Sequence, residues 1–226
     1  MFLSIIIPTL NRAEKLSNAL ESILNQTYSQ LAYEVIVVDN GSTDDTKAIC
    51  VGFENKIRNF EYIYDSHPGL HVGRHAGLRA SKSNNLVYTD DDIEAFPTWL
   101  EGIAASFEDE EVVLVSGKIL PKFEAKPPDW MNKLWEKNQW GKHIGYYSLL
   151  DFGNKVQEIS PRYVWGCNFA IRKKITFELG GFHPDGMPKD LIRYRGDGET
   201  SLSRKILNRG YKTLYNPAAS VYHLVS

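Results

Sequence analysis

Residues 3–24 read LSIIIPTLNRAEKLSNALESIL, and residues 33–46 read YEVIVVDNGSTDDT. Residues 3–7 and 34–38 are short, β-branched and nearly continuously apolar, the pattern of strands covered on both faces. Between them Leu16, Ala19, Leu20, Ile23 and Leu24 recur at helical spacing and form one apolar stripe. The alternation continues outward. Strands are expected at 60–64, 86–89 and 112–115, and helices over 44–58, 73–82 and 98–107. Strand and helix in turn imply an α/β fold with a mostly parallel central sheet and helices on both its faces.

From Pro121 the texture changes. Residues 121–147, PKFEAKPPDWMNKLWEKNQWGKHIGYY, are rich in proline, tryptophan and lysine and follow no clean period. They are expected to form an excursion from the sheet, not a separate domain. Regular structure resumes over 163–171, followed by a helix over 199–209 with Leu202 and Ile206 on one face and Gly210 as its left-handed terminator. A strand over 219–223 closes the chain. The 226 residues therefore read as one domain with two halves, 1–118 and 119–226.

Apolar residues make up 42% and charged residues 24%, close to ordinary globular usage, and a net charge of −2 gives no overall pull toward nucleic acid. Cys50 and Cys167 are too few for a disulfide framework and form no metal-binding pair, so both are expected as free thiols in a reducing compartment. Apolar runs are four to six residues long, far short of the roughly 20 that span a bilayer. Met1 leads straight into a strand, with no signal peptide. The expectation is a cytoplasmic protein, with the inner face of the membrane as a peripheral option.

Ligands of open parallel sheets bind at the carboxyl ends of the strands. Three such ends here are polar: Pro8-Thr9-Leu10-Asn11-Arg12, Asp39-Asn40-Gly41-Ser42-Thr43-Asp44-Asp45 and Asp90-Asp91-Asp92. In an extended stretch Asp90 and Asp92 point to one side, where a hard divalent ion could bind with substrate phosphate oxygens. A solvated acidic turn capping a helix is the plainer alternative. Asp39 could accept from a nucleobase or ribose, or could serve turn chemistry alone with Asp44 capping a helix. Gly69-Leu70-His71-Val72-Gly73-Arg74-His75-Ala76-Gly77 opens a helix on which Arg74 could fork onto a phosphate; it is neither a dinucleotide fingerprint nor a phosphate-binding P-loop. Arg195-Gly196-Asp197-Gly198-Glu199 puts carboxylates at a helix N-terminus, where they suit either a general base or a cap.

Taken in order, SIIIPTLNRAEKL, EVIVVDNGSTDDT, PGLHVGRHAGLRAS, LVYTDDDI, WGCNFAIRK and GDGETSLSRKILNRGYKTLYNPAASVYH resemble the inverting family 2 glycosyltransferases of GT-A fold. The resemblance implies a nucleotide-sugar-binding half over 1–118 and an acceptor-binding, catalytic half over 119–226. It implies that Pro8, Thr9, Arg12, Ser42 and Asp91 line the nucleotide site, that Asp39 contacts the base and that Arg74 faces the diphosphate. Asp90 and Asp92 fall on the DxD element that holds Mn2+ or Mg2+, with His223 as a third ligand. Glu199 falls on the catalytic base, twelve residues before Tyr211, with Asp197 as the alternative because the usual Glu-Asp pair reads Gly198-Glu199. His75 stands where the family commonly has asparagine. Trp135, Trp165 and Asn168 are assigned to the acceptor.

The implied reaction is metal-dependent transfer of a sugar, with inversion, from a nucleotide-diphosphate sugar, UDP by default, to a hydroxyl of a saccharide or lipid-linked acceptor in glycan biosynthesis. The aromatic residues of the excursion, Trp130, Trp135, Trp140, Tyr146 and Tyr147, suit sugar stacking, a membrane interface or anchorage of a long loop. Two other classes compete, a nucleotidyltransferase and a non-catalytic nucleotide-sugar-binding module. PTLNRAEKL lacks the glycine-rich basic loop of the first, and carboxylates at the expected positions, Glu199 included, speak against the second.

Overall fold

The computed structural model describes residues 1–67, 69–183 and 198–225. Its first half alternates as the apolar pattern requires: β1 (Leu3–Thr9), α1 (Ala13–Leu24), β2 (Tyr33–Asp39), α2 (Thr46–Glu54), β3 (Phe60–Tyr64), α3 (Leu70–Ala80), β4 (Asn85–Tyr88), β5 (Ile93–Ala95), α4 (Trp99–Ser106) and β6 (Val112–Ser116). Every residue of β1 and β2 is buried, which is why their middles, Ile5–Ile7 and Val35–Val38, are apolar without alternation. On α1 the buried residues are Leu16, Ala19, Leu20 and Ile23, the stripe read from the sequence. The helix has no side-chain cap of its own. Instead Ala13 N donates to Asp44 Oδ2 at 3.0 Å, while Asp44 Oδ1 accepts from Thr46 N at 3.1 Å, so one carboxylate serves the first turns of α1 and α2 together.

The second half adds β7 (Ile119–Phe123), β8 (Glu136–Lys137), β9 (Lys142–Ile144), β10 (Leu149–Asp151), β11 (Gln157–Glu158), β12 (Phe169–Arg172), α5 (Lys173–Glu178), α6 (Gly198–Asn208), β13 (Lys212–Tyr215) and β14 (Val221–Val225). The main sheet runs β11-β13-β6-β12-β4-β1-β2-β3, with β1 parallel to β2 and β4, and β12 antiparallel between β4 and β6. A second sheet runs β5-β14-β7-β10-β9-β8. The excursion is thus partly regular: β7 to β10 make most of this sheet, a correction to the irregular segment expected there. Its strands are two to five residues long, too short to show a period. The halves interleave, since β12 and β13 enter the main sheet beside β4 and β6, and β14 pairs with β5.

Two glycines set how closely α3 approaches the sheet. A Cβ on Gly77 would run into Ile6, and one on Gly73 would lie 3.0 Å from Pro8 Cβ and collide with Asn40. Without them the helix would stand off the strand ends and carry Arg74 away with it. Gly210, at φ +66°, ends α6 as expected. No helix among the described residues is long and apolar enough to cross a membrane.

Candidate active site at the carboxyl ends of β1, β2 and β4

Parallel register brings the polar strand ends to one rim. Thr9 stands opposite Asp39, and Ile6 opposite Tyr88. Thr9 Oγ1 donates to Asp91 Oδ2 at 2.7 Å, and Arg12 Nη1 donates to Asp91 Oδ1 at 3.0 Å and to Asp92 Oδ2 at 2.8 Å. The chain turns at Asp91 and Asp92, so the extended arrangement expected for this cluster is not what forms. Like charges separate by turning: Asp90 meets Arg74, while Asp91 and Asp92 share Arg12. Asp91 is buried against β1, and burial pushes its carboxyl up to about 6 against the opposing pull of Thr9 and Arg12. It acts as a strut, not as an open ligand.

The centre of the site is Arg74, 1% exposed on α3. Its Nη2 donates to Asp90 Oδ1 at 3.1 Å and its Nη1 to Glu199 Oε2 at 3.2 Å. Glu199, in the first turn of α6, also accepts from Gly166 N on Oε1 at 3.1 Å. Burial would raise the Glu199 carboxyl, yet the charge of Arg74 beside it prevails and holds it below the usual glutamate range. For Asp90 burial wins over Arg74, and its carboxyl is raised. Phe182 lies beneath this group, with Arg74 over its ring at 5.2 Å and His71 stacked on it at 5.2 Å and 4°. His75 Nε2 accepts from Phe182 N at 3.0 Å, so its ring fastens the Gly181-Phe182 loop, a role the sequence did not announce. Gly166 and Phe182 are site residues that sequence reasoning missed. Only the lack of room at Gly166 marks the first, where a Cβ would lie 2.8 Å from Glu199 Oε1 and strike Arg74.

On the nucleotide side, Pro8 and Asp39 are buried. Asp39 Oδ1 accepts from Gly41 N and Ser42 N at 3.1 and 2.7 Å, and Oδ2 accepts from Tyr62 OH at 2.7 Å. Asp39 therefore shapes the 41–43 turn. Ser42 Oγ in turn accepts from Asn11 N at 2.9 Å, joining the first two strand ends. Asp197 lies outside the described residues.

Among the described residues Asp92 Oδ1 is buried without a hydrogen-bond partner, and His223 Nε2 faces it at 3.4 Å. Burial opposes a charge on His223, but Asp92 raises its pKa, and Tyr147 O lies 3.0 Å from its Nδ1. Among the described residues no group of three or more acidic, histidine or cysteine side chains stands close enough to enclose an ion. An orphaned carboxylate oxygen beside an imidazole nonetheless fits an ion that draws most of its ligands from substrate phosphate and water.

Of the acceptor residues, Asn168 is fully buried, its Oδ1 accepting from Trp99 Nε1 at 3.0 Å and its Nδ2 donating to Ala219 O at 2.9 Å. That amide clamps α4 to the turn before β14 and offers nothing to a ligand. Trp165 precedes Gly166 and is half-buried beside His143. Trp135 lies under Lys142 Nζ at 4.7 Å. Trp140 stacks on Phe152, and a cavity of about 370 Å³ opens beside them, lined also by Lys142 and Asp151.

The family model described as Glycosyl transferase family 2 matches residues 4–180. Glycosyltransferase AglE of Haloferax volcanii is 37% identical over 119 residues, which cover 52% of this chain and 39% of that protein. The chain thus spans about two-fifths of that relative. The crystal structure of S. aureus TarS with UDP-GlcNAc superposes with a TM-score of 0.72 over all of this chain and 59% of its own, at 18% identity. The mannosyltransferase PcManGT of Pyrobaculum calidifontis, in complex with GDP-Man and Mn2+, superposes with a TM-score of 0.70 at 22% identity, over 99% of this chain and 57% of its own. At these identities the two structures establish the GT-A fold.

Proposed function

The chain belongs to glycosyl transferase family 2, and from that premise we propose that it moves a sugar from a nucleotide-diphosphate donor to an acceptor hydroxyl, with inversion and with a divalent ion. One observation carries the reading: a buried arginine holds two carboxylates, Asp90 and Glu199, at the strand ends where α/β sheets bind ligands. Glu199 is kept ionised by Arg74 and is a quarter exposed, so it can take the proton of an incoming hydroxyl. That hydroxyl attacks the anomeric carbon from the face opposite the leaving diphosphate. Thr9, Arg12, Asp39 and Ser42 shape the pocket for the nucleotide, and the exposed Arg12 guanidinium can turn from Asp91 and Asp92 to a phosphate.

Asp92 and His223, with Asp90 beside them, are the residues that would hold Mn2+ or Mg2+. Such an ion neutralises charge developing on the departing diphosphate. UDP is the favoured nucleotide, in keeping with UDP-GlcNAc in the TarS structure; GDP is the competitor, from GDP-Man in the mannosyltransferase. The acceptor is a saccharide or lipid-linked hydroxyl, received between Trp165 and the aromatic segment around Trp135. Exposed Trp130 and Tyr146, with Lys126 and Lys133 in the same segment, support a cytoplasmic protein that touches the inner face of a membrane.

Calorimetric titration with UDP, GDP, dTDP and CDP, each with and without Mn2+, tests this reading. Metal-dependent binding of one of them, lost in Asp92→Asn, is the expected outcome. Failure of all four to bind in the presence of the metal contradicts it.

A further inference from the structure

His71 lies in the first turn of α3, 3% exposed, its ring parallel to Phe182. Its Nδ1 faces Arg74 Nη1 at 3.5 Å. A guanidinium carries only donors, so the nitrogen facing it must present a lone pair. Burial and the charge of Arg74 hold the ring's pKa down to about 3, and the imidazole is neutral at every working pH. A neutral ring with a bare Nδ1 carries its hydrogen on Nε2. That Nε2 is buried and has no hydrogen-bond partner among the described residues, and Glu199 Oε2 faces it at 3.9 Å. The gap is too long for a hydrogen bond and less than 1 Å from closing into one.

We propose that His71 is a positioning residue for Glu199, donating its Nε2–H to Oε2 when substrates fill the site and so making Oε1 the oxygen that takes the acceptor's proton. With Arg74 and His71 both donating, the two lone pairs of Oε2 are engaged. Among the described residues Oε1 accepts from Gly166 N–H, which leaves one of its lone pairs for the proton. In the transfer the acceptor O–H bond breaks, its proton goes to Oε1, the oxygen's electron pair forms the new bond to the anomeric carbon, and the bond to the diphosphate breaks with its pair on the leaving oxygen. His71 gains and loses no proton. The inference rests on Glu199 being the base.

Two experiments test it. Nitrogen NMR of the histidine rings in the ligand-free protein reads the tautomer directly: an Nε2-protonated, Nδ1-bare His71 is expected, and the opposite tautomer or a protonated ring overturns the proposal. Release of UDP from UDP-glucose or UDP-N-acetylglucosamine, and of GDP from GDP-mannose, with Mn2+, then compares three variants. His71→Phe keeps a ring on Phe182 without the donor and should lower kcat by about tenfold with KM unchanged; His71→Gln, which places an N–H near the Nε2 position, should recover most of it. Wild-type kcat in a folded His71→Phe overturns the role of His71, whereas turnover in Glu199→Gln overturns the base and the proposal with it. If His71→Phe does not fold, His71→Gln against His71→Leu makes the same comparison, and if none of the three donors is turned over, the tautomer decides.

Discussion

Arg74 Nη1 lies 3.2 Å from Glu199 Oε2, across 125 residues of chain. With Asp90 on its other nitrogen, one buried guanidinium joins α3, the end of β4 and the first turn of α6. The contact requires a planar fork that reaches two acceptors at once, which an ammonium cannot offer. Arg74→Lys should therefore lose transfer nearly as completely as Arg74→Ala. Arg74→Ala should also cost about 3 kcal/mol or more in denaturant unfolding, because two carboxylates lose their counter-charge, and Arg74→Lys should cost less, because the ammonium keeps the charge but cannot bridge both carboxylates. Wild-type stability and turnover in the lysine variant would contradict the bridging role.

Gly166 is the point where backbone approaches both charges. Gly166→Ala places a methyl group against Arg74 and 2.8 Å from Glu199 Oε1, so either the loop or the pair must move. A stability loss of about 1–3 kcal/mol is expected, with a larger proportional loss of turnover. Thermal melts and donor turnover on the same preparation separate the two effects.

Asp91 gives the protein a recognisable pH signature. Burial raises its carboxyl from 3.8 to about 6. Between those values the folded chain keeps a proton that the unfolded chain releases, so this group's contribution is most favourable below about pH 4 and is lost as the pH rises to about 6. The full change is about 3 kcal/mol at most. Asp91→Asn should remove this slope from the metal-free protein, since the amide oxygen can still accept from Arg12 while the Thr9 hydroxyl turns to accept. Denaturant midpoints of both forms across pH 4–7 provide the check, and parallel curves would show that Asp91 does not titrate there.

Much of the fold was legible because β1 and β2 are buried on both faces and α1 on one, which leaves an unbroken apolar run and a single stripe. The strands β7 to β10 were not, since they are two to five residues long, mix buried with exposed positions, and are held by neighbours from β14 and each other. β13 escaped for a similar reason: Lys212-Thr213-Leu214-Tyr215 has little apolar run and becomes a strand because it lies beside β6. In the site, the motifs led to Arg74, Asp90, Asp92, His223 and Glu199, which the structure gathers at one rim. Spacing could not show that Asp91 would turn inward or that Asn168 would be spent on Trp99 and Ala219, because partners far along the chain decide both. Nor could it single out Phe182, an ordinary apolar residue until Arg74 and His71 are placed over it.

The most direct measurement is transfer by Glu199→Gln, made beside calorimetric binding of the donor nucleotide with Mn2+. Glutamine keeps the shape of the side chain and removes the basic oxygen. Transfer should fall by at least about a hundredfold while nucleotide affinity stays at the wild-type value. Transfer at the wild-type rate in a folded Glu199→Gln protein would contradict the assignment of Glu199 as the base.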